Sequence, residues 1–197
     1  MRRILLALSV ALAAWTLSLP APGSIAPGFT QPARADQKDK RLPALFKRLK
    51  AAPDPDAAVL IESDIWKIWF ETGDKDIDAM MGAGQTAMEG QDFQGALAAF
   101  NAIIKKRPDF AEGWNRRATL YYEMGEYGKS LADIAQTLKL EPHHIGAISG
   151  MGLIDIQLEK FEDAEKAYLR VLAISPQDLG AQRNLDAVRE IIKKKSI

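Results

Sequence analysis

Prolines recur at a fixed interval in the second half of the chain: Pro108, Pro142 and Pro176 stand 34 residues apart. Other positions keep the same phase. Gly84, Ala118 and Gly152 are small; Phe93, Tyr127 and Phe161 are aromatic. Ala96, Ser130 and Ala164 are small again, and Phe100, Ile134 and Tyr168 are large and apolar. A period of this length marks an array of supersecondary units, each too small to bury its apolar face alone. Apolar spacing within each unit predicts two helices: 77–89 and 93–106, then 111–123 and 127–140, then 145–157 and 161–174. The turns between them are Gly90-Gln91-Asp92, Met124-Gly125-Glu126 and Leu158-Glu159-Lys160. The small columns suit the close crossing of two antiparallel helices, and the large ones fill the space beside them. Each proline ends a second helix, because it cannot continue a helix interior.

Trp114 and Tyr121 stand seven apart with Ala118 between them, and Ala96-x3-Phe100 and Ala164-x3-Tyr168 complete the pattern. Over about residues 76–178 the chain resembles the tetratricopeptide-repeat family, whose signature is W-x2-L-G-x2-Y, A-x3-F and P over 34 residues. The residue before the central small one departs from the signature, being Ala83, Arg117 and Met151. The resemblance implies an all-α, right-handed solenoid of three helix pairs, at 77–110, 111–144 and 145–178.

An array end exposes apolar surface and needs a cap. Residues 179–197 supply one, with Leu185, Val188 and Ile192 as a stripe and Lys193 to Lys195 at the helix C-terminus, where the dipole favours cations. Residues 36–75 read as a degenerate helical pair. Leu42, Leu45, Phe46 and Leu49 form one stripe, and Ala52-Pro53-Asp54-Pro55-Asp56 is a stop and restart. Val59, Leu60, Ile61, Ile65, Trp66, Ile68, Trp69 and Phe70 then form a wide apolar face. This pair is expected to stack on the first repeat, docking Trp66, Trp69 and Phe70 on its first helix. The total is about nine helices, with no alternating strand pattern.

The N-terminus has a different character. Arg2 and Arg3 precede an apolar run from Ile4 to Leu19, and Ala33-Arg34-Ala35 offers a small-x-small cleavage site before Asp36. Residues 1–35 therefore read as a cleaved secretory signal. Pro20 cuts the run short of the roughly 20 apolar residues of a membrane span. A retained anchor on residues 4–19 is the alternative. The whole chain balances 26 Lys+Arg against 26 Asp+Glu, which gives no basic excess for nucleic acid. Removing residues 1–35 takes away Arg2, Arg3 and Arg34 and no acid, leaving a net charge of −3. No cysteine is present, so thiol catalysis, disulfides and Cys-ligated metals are excluded.

Elsewhere the chemistry is sparse. Asp74, Asp76 and Asp78 alternate like a calcium loop, but Ala79 and Gln85 stand where that loop needs Gly and Glu. Acids at a helix start explain them better. His143 and His144, the two histidines, follow Pro142 and read as solvated turn residues, with no Asp or Glu spaced to join them. Arg116 and Arg117 read as a solvated helix face. Trp66, Trp69 and Phe70, like Trp114 and Tyr121, read as core. Gly82-Ala83-Gly84 lies inside a helix and is not a phosphate loop. No metal or cofactor is expected.

In proteins of the resembled family, ligands lie in the concave groove lined by the first helix of each pair. The matching positions are Met81, Gln85 and Met88, then Asn115, Arg116, Thr119 and Tyr122, then Ser149, Leu153 and Ile156. Flexible Met suits adaptable contact, and an extended or helical peptide suits such a groove. The carboxylate clamp of chaperone-binding members finds only Asn115 among Met81, Gln85, Asn115 and Ser149. The resemblance thus implies a non-enzymatic, periplasmic or secreted scaffold for a protein or peptide, with no nucleic-acid or cofactor partner and no membrane contact after signal cleavage. A tethered envelope assembly factor is the runner-up. A hydrolase or glycan-binding enzyme using Glu89 and Glu123 is a third reading.

Overall fold

The computed structural model describes residues 39–195. The expected signal and the alternative anchor lie outside these residues. Nine α-helices and no strands occur among the described residues: α1 (Leu42–Lys50), α2 (Pro55–Phe70), α3 (Lys75–Glu89), α4 (Phe93–Lys106), α5 (Ala111–Glu123), α6 (Tyr127–Leu140), α7 (Ile145–Gln157), α8 (Phe161–Ile174) and α9 (Leu179–Lys195). Among the same residues, no helix is long and apolar enough to cross a membrane.

The chain's own side chains set the helix starts. The carboxylates of Asp54, Asp74 and Asp92 accept backbone N–H bonds from the first turns of α2, α3 and α4, and Asp178 does so for Ala181 of α9. Such caps satisfy donors that the helix itself leaves unpaired. Asp74 and Asp76 also pair with Lys106 of α4 at 3.1 and 2.7 Å, so two of the alternating acids tie α3 to its partner helix.

The turns inside the three hairpins are built alike. Asp92 N–H reaches Ala87 O, Glu126 N–H reaches Tyr121 O and Lys160 N–H reaches Asp155 O, each at 2.8 Å. The residue before each donor is left-handed: Gln91 at φ 58°, Gly125 at 73° and Glu159 at 55°. Only the middle turn uses the residue that adopts this backbone without strain. Gln91→Gly and Glu159→Gly are each expected to raise stability by about 0.5–1 kcal/mol in urea unfolding, while Gly125→Ala lowers it.

The small and large columns meet within each hairpin. A Cβ on Gly84 would lie 2.8 Å from Phe100 Cζ, and one on Gly152 would lie 2.9 Å from Tyr168 Cζ. Glycine is used where the facing residue is aromatic; Ala118 is tolerated where it is Ile134. All six are buried. Ser130 Oγ, in the second small column, donates to Ala118 O at 2.7 Å across the α5–α6 pair. On α7, burial pushes the Asp155 carboxyl above its ordinary pKa, and nearby Asp163 adds to the shift. The folded state therefore favours the protonated acid, and stability falls as pH rises above the unfolded pKa. Asp155→Asn is expected to raise the melting temperature at pH 7, with the gain vanishing as pH falls below about 4, where the acid is protonated in both states.

α9 caps the C-terminal end, burying Ala181, Leu185 and Val188 against α8. The N-terminal pair corrects the expectation. α1 and α2 form, but they do not stack on α3. Their buried residues Leu45, Leu49, Ile61, Ile65 and Trp69 share one core with Ile145, Ile148, Tyr168 and Val171 of the third repeat and with Leu185 of α9. The first repeat keeps a separate core around Ile77, Phe100, Ile103 and Phe110. Ser175 Oγ, at the end of α8, donates to Glu62 of α2 at 2.7 Å. The apolar face of α2 is also narrower than expected: Val59 and Leu60 are 64% and 70% exposed.

Candidate functional site

α5 and α7, the first helices of neighbouring repeats, present facing walls. At their N-terminal ends a buried carboxylate gathers three donors. Glu112, 0% exposed, accepts Arg116 Nε on one oxygen at 2.7 Å. Its other oxygen lies 3.0 Å from Asn115 Nδ2 and 3.0 Å from His144 Nε2. His144 Nδ1 accepts the backbone N–H of Ala147 at 3.1 Å, capping α7. A backbone amide is only a donor, so the ring hydrogen sits on Nε2 and points at Glu112. A carboxylate with three donors meets the condition for burying a charge without large loss.

The expected solvated histidine turn is therefore half wrong. His143 is exposed, but Glu141, two residues before it, accepts its backbone N–H at 2.8 Å and lies 3.4 Å from its Nδ1, whereas His144 is 1% exposed. Trp69 of α2 stacks on His144 with centroids 4.4 Å apart and planes 6° from parallel, and Trp66 meets it edge-on at 5.3 Å. The acid that joins His144 lies 32 residues upstream, at the other end of the 111–144 unit, and is invisible to local spacing. A stacked array sets Glu112 and His144 side by side because they are 32 residues apart, close to one period.

The two arginines also depart from a solvated face. Arg116 lies over the Phe70 ring at 5.1 Å and reaches Gln85 of α3 at 3.3 Å. Arg117 binds Asp133 of α6 through two bonds of 2.7 and 2.8 Å and Asn101 of α4 at 2.6 Å. The Asp133 carboxylate pushes the Arg117 pKa further up, and the guanidinium covers Trp114 and Tyr121. Those two aromatics are half-buried under it rather than deep core.

Past the Glu112 network the walls part. A cleft of about 180 Å³ opens between them. Asn115, Ala118, Thr119 and Tyr122 line it from α5, Ser149, Gly150 and Leu153 from α7, and Ile134 closes its floor from α6. Five expected groove residues thus share one cavity: Asn115, Thr119, Tyr122, Ser149 and Leu153. Met81 and Met88 instead pack against the first repeat's core, and Ile156 packs against the core shared with α1 and α2. Gln85 bridges Glu89 and Arg116. Trp66 of α2 presses on Gly146 of the cleft lining, where an added Cβ would lie 3.1 Å from the indole.

Two family models described as tetratricopeptide repeat match residues 81–145 and 147–178. A TPR repeat-containing protein of Rhizobium etli is 39% identical over 77% of this chain and 74% of its own length. The chain belongs to the tetratricopeptide-repeat family. The small glutamine-rich tetratricopeptide repeat-containing protein 2 of Mycosarcoma maydis is 23% identical over 57% of this chain, which spans only 32% of that relative. Among solved structures, the first TPR of Spaghetti (RPAP3) bound to the HSP90 peptide SRMEEVD superposes with a TM-score of 0.57. It covers 60% of this chain and 94% of its own at 19% identity, a likeness of fold.

Proposed function

We propose that this tetratricopeptide-repeat protein is a non-enzymatic scaffold that binds a protein or peptide partner along the α5–α7 groove, and that it works in the periplasm after losing residues 1–35. The observation that carries the reading is the open cleft between α5 and α7, with an apolar floor and a polar rim of Asn115, Thr119 and Ser149. The solved neighbour bound to an HSP90 peptide supports a peptide-sized occupant. The acids of the enzymatic reading do not favour it. Glu89 accepts a bond from Gln85, and neither Glu89 nor Glu123 lines the cleft. The export step rests on the basic, apolar and small-x-small segments of residues 1–35.

Two measurements test this. Affinity capture from periplasmic extract would compare the wild type with Tyr122→Ala and Leu153→Glu, each verified as folded by circular dichroism. Loss of the same partner from both variants supports the groove, and equal recovery removes it. Intact mass of the native protein should give an N-terminus at Asp36; a mass retaining residues 4–19 would favour the tethered factor instead.

A further inference from the structure

The α5–α7 cleft has the dimensions and chemistry of a socket for one side chain. We propose that it takes a single uncharged apolar side chain of the partner, an aromatic ring or a large aliphatic group, and excludes carboxylates. This deepens the groove reading above and rests on it. Its volume of about 180 Å³ is close to that of the roughly 150 Å³ apolar cavity known to admit a benzene ring. No charged side chain lines it. Of the two cations on the same wall, Arg116 is turned to Glu112, Gln85 and the Phe70 ring, and Arg117 to Asp133 and Asn101. A guanidinium already matched by a buried carboxylate offers a partner's carboxylate little to gain.

The socket exists because a side chain is missing. Gly150 faces Ile134, and an added Cβ there would sit 3.6 Å from Ile134 Cδ1, an ordinary contact. No steric need therefore calls for glycine at this position, unlike Gly84 and Gly152. Gly146, one turn earlier, is covered by Trp66. Of the two lining glycines, Gly146 is thus covered and Gly150 leaves its side of the cleft free. A larger residue at 150 would fill it from within, and would also favour the helix by roughly 0.5–1 kcal/mol over glycine.

Amide nitrogen–proton spectra of the protein, titrated with N-acetyl-phenylalanine amide, N-acetyl-leucine amide, N-acetyl-aspartate amide and N-acetyl-lysine amide, test the idea. The two apolar probes are expected to move the signals of Ala118 to Tyr122 and Gly146 to Leu153 at millimolar concentration. The charged probes should bind at least tenfold more weakly, and Gly150→Leu should weaken the apolar probes at least tenfold. If Gly150→Leu does not fold, Leu153→Glu, at the exposed rim, serves for the same comparison. Equal shifts from charged probes, unmoved cleft signals, or unchanged binding to a folded Gly150→Leu would each overturn the socket. If apolar probes leave the cleft unmoved while Leu153→Glu still loses the partner, the groove reading survives and the socket alone falls. If the probes bind but Gly150→Leu and Leu153→Glu both keep the partner, both readings fall.

Discussion

Trp69→Ala is expected to lower the unfolding free energy by about 3–5 kcal/mol. Trp69 is 1% exposed, lies flat on His144 and meets Trp66 edge-on with centroids 5.0 Å apart. It joins α2 to the third repeat, so its loss should act there first. Hydrogen exchange reads the location. Amides of α7 and α8 should lose protection in the variant, while those of α3 and α4 keep theirs, because the first repeat has its own core. Protection lost mainly from α3 and α4 would mean that the N-terminal pair stacks on the first repeat after all.

Glu112→Ala should cost about as much, roughly 3–5 kcal/mol, for a different reason. The methyl group fills little of the site and strips an acceptor from Asn115, Arg116 and His144 together. His144 is 1% exposed, so its N–H cannot turn to water, and Asn115 keeps only 8% of its surface exposed where it lines the cleft. Glu112→Gln keeps the shape but turns one acceptor oxygen into a donor facing donors, and is expected to recover only part of the loss. An unfolding free energy from urea denaturation within about 1 kcal/mol of wild type for Glu112→Ala would show that the network contributes little.

The hairpins were legible in the sequence because their packing repeats. Gly84 against Phe100 and Gly152 against Tyr168 are contacts between residues 16 apart in chains of one period, so the columns record them directly. The observed bounds of α3 to α8 follow closely those read from the apolar spacing, with proline and the capping aspartates marking several ends. The position of α1 and α2 was not legible. An apolar face such as Ile61, Ile65 and Trp69 says that it is buried, not what buries it, and its counterpart His144 carries no apolar signal. Arg117 looked like a surface cation because its acceptors, Asp133 and Asn101, lie on two other helices. In the groove, register predicted which residues face α7 from α5. It could not tell that Met81 and Met88 would fold onto their own hairpin core, nor that Gly150 would leave room beside Tyr122 and Leu153.

The groove assignment is tested most directly by placing a photoreactive phenylalanine analogue at Leu153, or at the exposed Ala135 on α6 as control, in cells that make the protein. The expected result is one discrete adduct from position 153, with the partner peptide identified by mass spectrometry, and none from position 135. An adduct that forms from position 135 and not from position 153 would contradict a binding site between α5 and α7.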